Sequence, residues 1–120
     1  MHKAQALAIH CIDLRFQQTI DQDLAARNLT GKFDRISWPG ASKDLENVQT
    51  ACKISLKLHN PDEIIIYEHA DCGAYGEDNE DNSEETHKSN AQNLVGKLKG
   101  IKPEIKVTTL FATFDGIKDL

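Results

Sequence analysis

Residues 63–67, EIIIY, form the clearest strand pattern in this sequence and decide its fold. A continuous β-branched run of this kind is typical of a strand that is buried on both faces of a parallel sheet. Residues 60–62, NPD, end the preceding element, and residues 69–73, HADCG, follow the strand directly. We therefore expect a central strand whose carboxyl end carries a histidine and a cysteine.

The rest of the chain alternates between strand and helix patterns. Strands are predicted at 5–12, 33–37 and 105–114, and helices at 18–29, 43–59 (capped by Ser42) and 84–99, with a turn at Asp115-Gly116. Such alternation implies parallel strands joined by right-handed crossovers. The sequence thus predicts an α/β fold in one domain, residues 1–120. Its architecture is a three-layer, mainly parallel four-stranded sheet of order 2-1-3-4 with helices on both faces.

Composition argues against several classes of partner. The chain has 120 residues and a net charge of −5, and no basic face for nucleic acid or an anionic membrane is evident. No stretch approaches the roughly 18 apolar residues of a membrane span, and the run at residues 6–9 is too short for a signal-peptide core. The three cysteines are an odd number, which favours reduced thiols. We therefore expect a cytoplasmic protein with a small-molecule partner.

Two short motifs are expected to meet at one edge of the sheet. In the order 2-1-3-4, strands 1 and 3 are neighbours, and ligands bind beyond their carboxyl ends. Cys11, Asp13 and Arg15 follow strand 1 at alternate positions and can point the same way. His69 and Cys72 follow strand 3 and lie one turn apart if the chain is helical there.

These residue types predict a metal centre. Two thiolates and one imidazole suit tetrahedral zinc, so we expect one Zn²⁺ on Cys11, His69 and Cys72, with a fourth position for water. Asp13 could accept a hydrogen bond from zinc-bound hydroxide, while Arg15 holds Asp13 off the metal by a bidentate ion pair. Without Arg15, Asp13 could itself become the fourth ligand. The alternative is that the thiols are buried structural groups.

The remaining candidates are interpreted as structural. Cys52 lies on the apolar face of a predicted helix and is expected in the core. The acidic run at 77–85 is interpreted as a solvated loop. His2 and His87 are placed in polar surroundings, and no direct role is expected for four histidines: His2, His10, His59 and His87.

The pair of motifs, CIDLR at 11–15 and HADCG at 69–73, resembles the β-class carbonic anhydrases. Members of that family carry C-x-D-x-R after the first strand and H-x-x-C-G after the third. The resemblance implies zinc on Cys11, His69 and Cys72, and a gating dyad of Asp13 and Arg15. It also implies reversible hydration of carbon dioxide to bicarbonate by zinc-bound hydroxide, in a homodimer or higher homo-oligomer whose partner subunits help to build the pocket.

The sequence also departs from the family's usual pattern. Leu14 stands where the family usually has serine. Glu68 stands before His69, where the family usually has a small residue or a histidine before the ligand histidine. Ser37-Trp38-Pro39-Gly40 replaces the family's common Arg-Asn-Ala-Gly stretch. The N-terminal arm and C-terminal helices of longer members are not found in this sequence. Two alternatives therefore stay open. One is a related zinc hydrolase of carbon disulfide or carbonyl sulfide, and the other is a non-catalytic zinc-binding or interaction domain.

Overall fold

The computed structural model describes residues 2–76 and 81–120, and within them the chain builds one central sheet of order β2-β1-β3-β4-β5. The strands are β1 Ala6–His10, β2 Phe33–Ser37, β3 Glu63–His69, β4 Lys106–Thr113 and β5 Gly116–Asp119. The pairs β1–β2, β1–β3 and β3–β4 are parallel, and β4–β5 is antiparallel. The predicted parallel order 2-1-3-4 is confirmed.

The predicted number of strands is too small by one. After β4, the chain turns at residues 114–115 and returns as β5, with Thr113 paired to Gly116 and Leu110 to Asp119. Gly116 has a φ of +135°, a backbone conformation that residues with a Cβ rarely adopt. The predicted turn at Asp115-Gly116 is therefore the tip of a hairpin, and β5 protects the outer edge of β4.

Helices lie on both faces of the sheet, as predicted. They are α1 Gln17–Ala26, α2 Leu45–His59, the single turn α3 Gly73–Gly76, and α4 Glu84–Ile101. Ile65 and Tyr67 of β3 pack in a cluster with α1, whereas Ile64 and Ile66 pack in a second cluster with α2 and α4. The alternation along β3 buries both of its faces, which is what its β-branched run predicts.

Three local boundaries differ from the sequence prediction. Asp44, not Ser42, caps α2, because its carboxylate accepts the backbone N–H of Asn47. Strand β3 continues to His69, so this residue belongs to the strand and not to a helical turn with Cys72. The chain bends at Asp71, whose φ of +55° is left-handed, and Cys72 precedes α3.

The predicted acidic loop at 77–85 falls partly outside the described residues, which omit 77–80. Its described end is already structured. Ser83 caps α4 by accepting the backbone N–H of Thr86, and Glu84 and Glu85 form the first turn. Across the described parts of the chain, none of the helices combines the length and the apolar character that crossing a membrane requires.

Candidate metal centre

Two neighbouring parallel strands bring the sulfur and nitrogen groups together. The register pairs Ile9 with Ile66, so β1 and β3 end at the same edge of the sheet. Cys11 follows β1, His69 ends β3, and Cys72 follows after the bend. Their ligand atoms all lie within 4.8 Å of one another, and all three residues are buried. The bend at Asp71, rather than a helical turn, produces this proximity.

His69 is oriented as a metal ligand would be. Its Nδ1–H donates to the Ala70 carbonyl over 2.7 Å, and its ring packs against Phe16 with centroids 4.5 Å apart. This leaves Nε2 as the lone-pair nitrogen, buried and without a hydrogen-bond partner within the described structure. Buried polar atoms without partners are uncommon because desolvation is costly. Burial lowers the pKa of His69, but the Cys11 sulfur and the Ala70 carbonyl raise it above the ordinary value overall.

The two thiols form a coupled pair with their sulfur atoms 3.9 Å apart. Contact with the Cys72 thiol lowers the pKa of Cys11, helped by the Gly40 backbone N–H, which donates to the Cys11 sulfur over 3.3 Å. The Cys11 sulfur and burial in turn raise the pKa of Cys72. A divalent cation would let both thiols ionise. Two sulfur donors and an imidazole nitrogen with a free lone pair therefore fit zinc.

Asp13 and Arg15 stand beside this cluster as an ion pair. Arg15 donates from Nε to Asp13 Oδ1 over 3.0 Å and from Nη2 to Oδ2 over 2.7 Å. Hydrogen bonds from the Arg15 side chain are the main reason that the pKa of Asp13 falls to about 2. Asp13 Oδ2 is also 3.9 Å from His69 Nε2. The carboxylate thus lies beside the cluster while bound to the guanidinium.

Arg15 has a second anchor that sequence reasoning missed. Its Nη1 donates to Asp71 Oδ2 over 2.9 Å, and its Nη2 donates to the Asp71 carbonyl over 2.8 Å. The left-handed bend at Asp71 turns this residue toward Arg15, and aspartate tolerates that conformation better than most residues. The signal available in the sequence was an acidic residue inside H-x-x-C. The guanidinium is held from both sides.

A cavity of about 460 Å³ opens at the cluster. It is lined by Cys11, Asp13 and Arg15 together with Ile12, Leu14, Pro39, Gly73 and Ala74. Most of the added lining is apolar. Trp38, the neighbour of Pro39, is not part of this lining and donates its indole N–H to the Asp44 carboxylate over 3.0 Å. The wall is therefore formed by Pro39 and the aliphatic residues of the first motif.

Among the other candidates, Cys52 lies in the core as predicted, whereas the surroundings of His87 differ from the prediction. Cys52 is buried in the core shared by α2 and α4, and burial raises the pKa of its thiol to about 12. His59 pairs with Asp34 over 2.8 Å, far along the sheet from the cluster. The polar surroundings expected for His87 are wrong: it is buried and bonded to Glu68. The isolated sequence gives no indication that these two residues meet.

The fold and this site define a class of protein: a mainly parallel α/β sheet with a buried Cys-His-Cys cluster at the carboxyl edge of two neighbouring strands. Residues 1–116 match the family described as "Putative carbonic anhydrase", and the chain belongs to that family. An uncharacterized protein of Rickettsia bellii is 30% identical, in an alignment that covers 98% of this chain and 81% of that protein.

Solved structures show the same fold at low identity. The carbonic anhydrase of Streptococcus mutans aligns with a TM-score of 0.72 at 17% identity, covering 98% of this chain and 82% of the other. A chain from the crystal structures of two tetrameric β-carbonic anhydrases of Sordaria macrospora aligns with a TM-score of 0.70 at 13% identity, covering 100% of this chain and 82% of that chain. The apo form of a carbon disulfide hydrolase gives 0.62 at 15%, covering 98% and 79%. At these identities the likeness concerns the fold.

Proposed function

We propose that this chain catalyses the zinc-dependent reversible hydration of carbon dioxide to bicarbonate. One observation carries the proposal. The buried, unpartnered Nε2 of His69 faces the sulfurs of Cys11 and Cys72, beside a carboxylate that Arg15 restrains. Membership of the carbonic anhydrase family supports the same reaction.

Cys11, His69 and Cys72 would hold the zinc ion. When bound, zinc supplies a Lewis acid that lowers the pKa of water enough to provide a nucleophile near neutral pH. Asp13 keeps its charge because Arg15 depresses its pKa, so its carboxylate remains a hydrogen-bond acceptor at every physiological pH. Asp13 therefore orients the attacking water by accepting a hydrogen bond from it. Arg15 prevents the Asp13 carboxylate from becoming a metal ligand itself.

The cavity suits a small substrate without hydrogen-bond donors. Ile12, Leu14, Pro39 and Ala74 provide an apolar wall next to the cluster. Carbon dioxide is linear and apolar, so it enters such a wall without leaving polar groups unpaired. Carbon disulfide and carbonyl sulfide share this shape, which keeps them as alternative substrates in the test below.

A second copy of the chain would close the open side of the cavity at the cluster. Ile12, Leu14 and Phe114 are 56%, 84% and 68% exposed. Large apolar side chains exposed next to a binding site indicate an interaction surface. We include a homodimer or higher homo-oligomer in the proposal, with this rim as its interface. We also propose a cytoplasmic location, because the free thiols of Cys11, Cys52 and Cys72 suit a reducing compartment.

Stopped-flow measurement of carbon dioxide hydration by the zinc-loaded chain tests this function. We expect a rate above buffer between pH 7 and pH 9, and loss of most of that rate in Asp13→Ala with zinc retained. Sulfide release from carbon disulfide or carbonyl sulfide, without hydration, would favour the related hydrolase. Bound zinc with Asp13 coordinated at every pH and no turnover of any substrate would favour a non-catalytic domain.

A further inference from the structure

A buried polar network lies directly behind the metal cluster. Glu68 and His87 are each only 1% exposed. Glu68 Oε2 accepts the Ser42 backbone N–H over 3.1 Å and the Ser42 hydroxyl over 2.8 Å. Glu68 Oε1 accepts the Tyr75 hydroxyl over 3.0 Å and His87 Nδ1–H over 2.7 Å. Both oxygens of a buried carboxylate are thus satisfied by three separate segments of the chain.

One of these segments contacts the first thiol. Ser42 lies in the short helical turn Ala41–Lys43, which follows Gly40. The Gly40 N–H donates to the Cys11 sulfur, and a Cβ at Gly40 would come within 3.1 Å of the Ala74 Cβ. The turn is therefore packed tightly between the two ligand-bearing segments. By holding Ser42, Glu68 fixes the position of the N–H that binds Cys11.

The other two segments fix the second thiol. The Cys72 carbonyl accepts the Tyr75 backbone N–H over 3.1 Å and the Asn82 side-chain amide over 3.3 Å. Asn82 Oδ1 in turn accepts His87 Nε2–H over 2.8 Å, and the Tyr75 and His87 rings stack with centroids 3.8 Å apart. Both His87 nitrogens thus lie within hydrogen-bonding distance of side-chain oxygens, those of Glu68 and Asn82. The hydrogen bond between Glu68 and His87 therefore continues through Asn82 to the Cys72 carbonyl.

We propose that Glu68 is a positioning residue for the metal centre, acting with His87, Tyr75 and Ser42. It contacts no ligand atom itself, but its partners hold the backbone on both sides of the sulfur pair. This inference rests on the metal centre in the proposed function and adds the residue that prepares it for the ion. Outer groups that orient ligands typically contribute about 10–100-fold to metal affinity.

Binding of Co²⁺ to the full chain under reducing conditions tests the role of Glu68. The dissociation constant is measured by competition with a chromophoric chelator, and the sulfur-to-cobalt absorption band reports thiolate coordination. We expect Glu68→Gln to weaken Co²⁺ binding about tenfold or more and Tyr75→Phe by a smaller factor in the same direction. Both changes should also reduce the intensity of the absorption band.

Tyr67→Phe is the matched control. Tyr67 is also a buried tyrosine whose hydroxyl donates to a carboxylate, that of Asp23, but it packs in the cluster on the α1 face of the sheet. This variant should lose thermal stability like Tyr75→Phe yet bind Co²⁺ within about twofold of the wild type. If Glu68→Gln does not fold, Tyr75→Phe and Ser42→Ala provide the same comparison.

Unchanged Co²⁺ affinity and spectrum in the network variants, with stability losses like that of Tyr67→Phe, would overturn the inference and leave the network as core packing. The readout does not depend on turnover. A wild-type chain that binds Co²⁺ but does not hydrate carbon dioxide would overturn the proposed function and leave the role of Glu68 standing. A wild-type chain that binds no Co²⁺ would overturn the metal centre and this inference together.

Discussion

Arg15 is the residue on which the proposed chemistry of the site depends. Its guanidinium binds Asp13 on one side and Asp71 on the other, so its position is fixed by two carboxylates rather than one. Such planar, multidentate pairing is specific to arginine, because lysine offers a point charge without a fork. The state of Asp13 therefore depends on a residue that sits inside the second motif.

Asp71→Asn should loosen this arrangement without breaking the bend. Asparagine tolerates the left-handed backbone, so only the charge of the outer anchor is lost. We expect zinc to be retained and kcat/KM for carbon dioxide to fall, with Arg15→Ala falling further, by about 100-fold, because a misplaced Asp13 no longer orients water. The exposed ion pair of Asp62 with Lys3 supplies the control, and Asp62→Asn should leave turnover unchanged. Equal rates in the wild type, Asp71→Asn and Arg15→Ala would contradict the gating role.

The three cysteines allow a clean test of the ligand assignment. Cys72→Ala removes one sulfur of the cluster, whereas Cys52→Ala removes a buried sulfur in the core. We expect Cys72→Ala to lose stoichiometric zinc and the stability that the ion adds. Cys52→Ala should lose about 1 kcal/mol of unfolding free energy but keep its zinc. Elemental analysis after dialysis measures both, and one zinc per chain in Cys72→Ala would show that the site is misassigned.

At the residue scale, the sequence was sufficient to identify the candidate site residues that lie in the two motifs, because the predicted strand order places the two motifs side by side. Cys11, Asp13, Arg15, His69 and Cys72 are read from two short motifs, and the sheet order brings them together. The contacts of Asp71, Glu68 and His87 were not predicted, because each of these residues binds partners that are distant in sequence. A lone glutamate next to a candidate ligand histidine gives no indication that a residue of a later helix contacts it.

At the scale of elements, hydrophobic periodicity located each parallel strand and each long helix, because each buries a regular apolar face. Strand β5 was not predicted because its four residues, GIKD, are too few to show an apolar period. Ile117 is the one large apolar residue among them, and it packs against the core. The helical spacing assumed for His69 and Cys72 was wrong because β3 extends to His69. Its backbone pairs with Ala112 of β4, which keeps the strand extended.

The cap of α2 gives a pH-dependent prediction. Hydrogen bonds from the Asn47 side chain and backbone N–H, and from the Trp38 indole, lower the pKa of Asp44 below the ordinary 3.8. A carboxyl group whose pKa is lower in the folded state than in the unfolded state stabilises the fold at a pH above its unfolded-state pKa. That contribution is lost as the pH falls through its folded-state pKa. The stability that the charge adds should thus be full near pH 6 and decline below about pH 4.

Asp44→Asn keeps a capping side chain but does not titrate. We expect the melting temperature of the wild type to fall more steeply than that of Asp44→Asn between pH 5 and pH 2.5, measured by thermal denaturation. Other carboxylates are common to both proteins and cancel in the comparison. Parallel melting curves across this range would show that the charge of Asp44 adds nothing to the cap.

At the scale of the whole molecule, the site is exposed on one side. Leu14 is 84% exposed beside the cavity, and Ile54 is another exposed apolar residue, on helix α2. If a second copy covers the cavity, Leu14→Asp should place a charge in that interface and yield monomers. Ile54→Asp should keep the wild-type mass in light scattering at matched concentration. A monomeric wild type, or dissociation by both substitutions, would contradict the proposed interface.

A crystal structure of the zinc-loaded protein near neutral pH, with anomalous diffraction at the zinc edge, tests the central claim most directly. We predict one zinc ion bound by Cys11, His69 and Cys72, with Asp13 still paired to Arg15 and not among the ligands. Zinc bound elsewhere, or Asp13 coordinated to the ion with Arg15 released, would contradict the account of a restrained catalytic site.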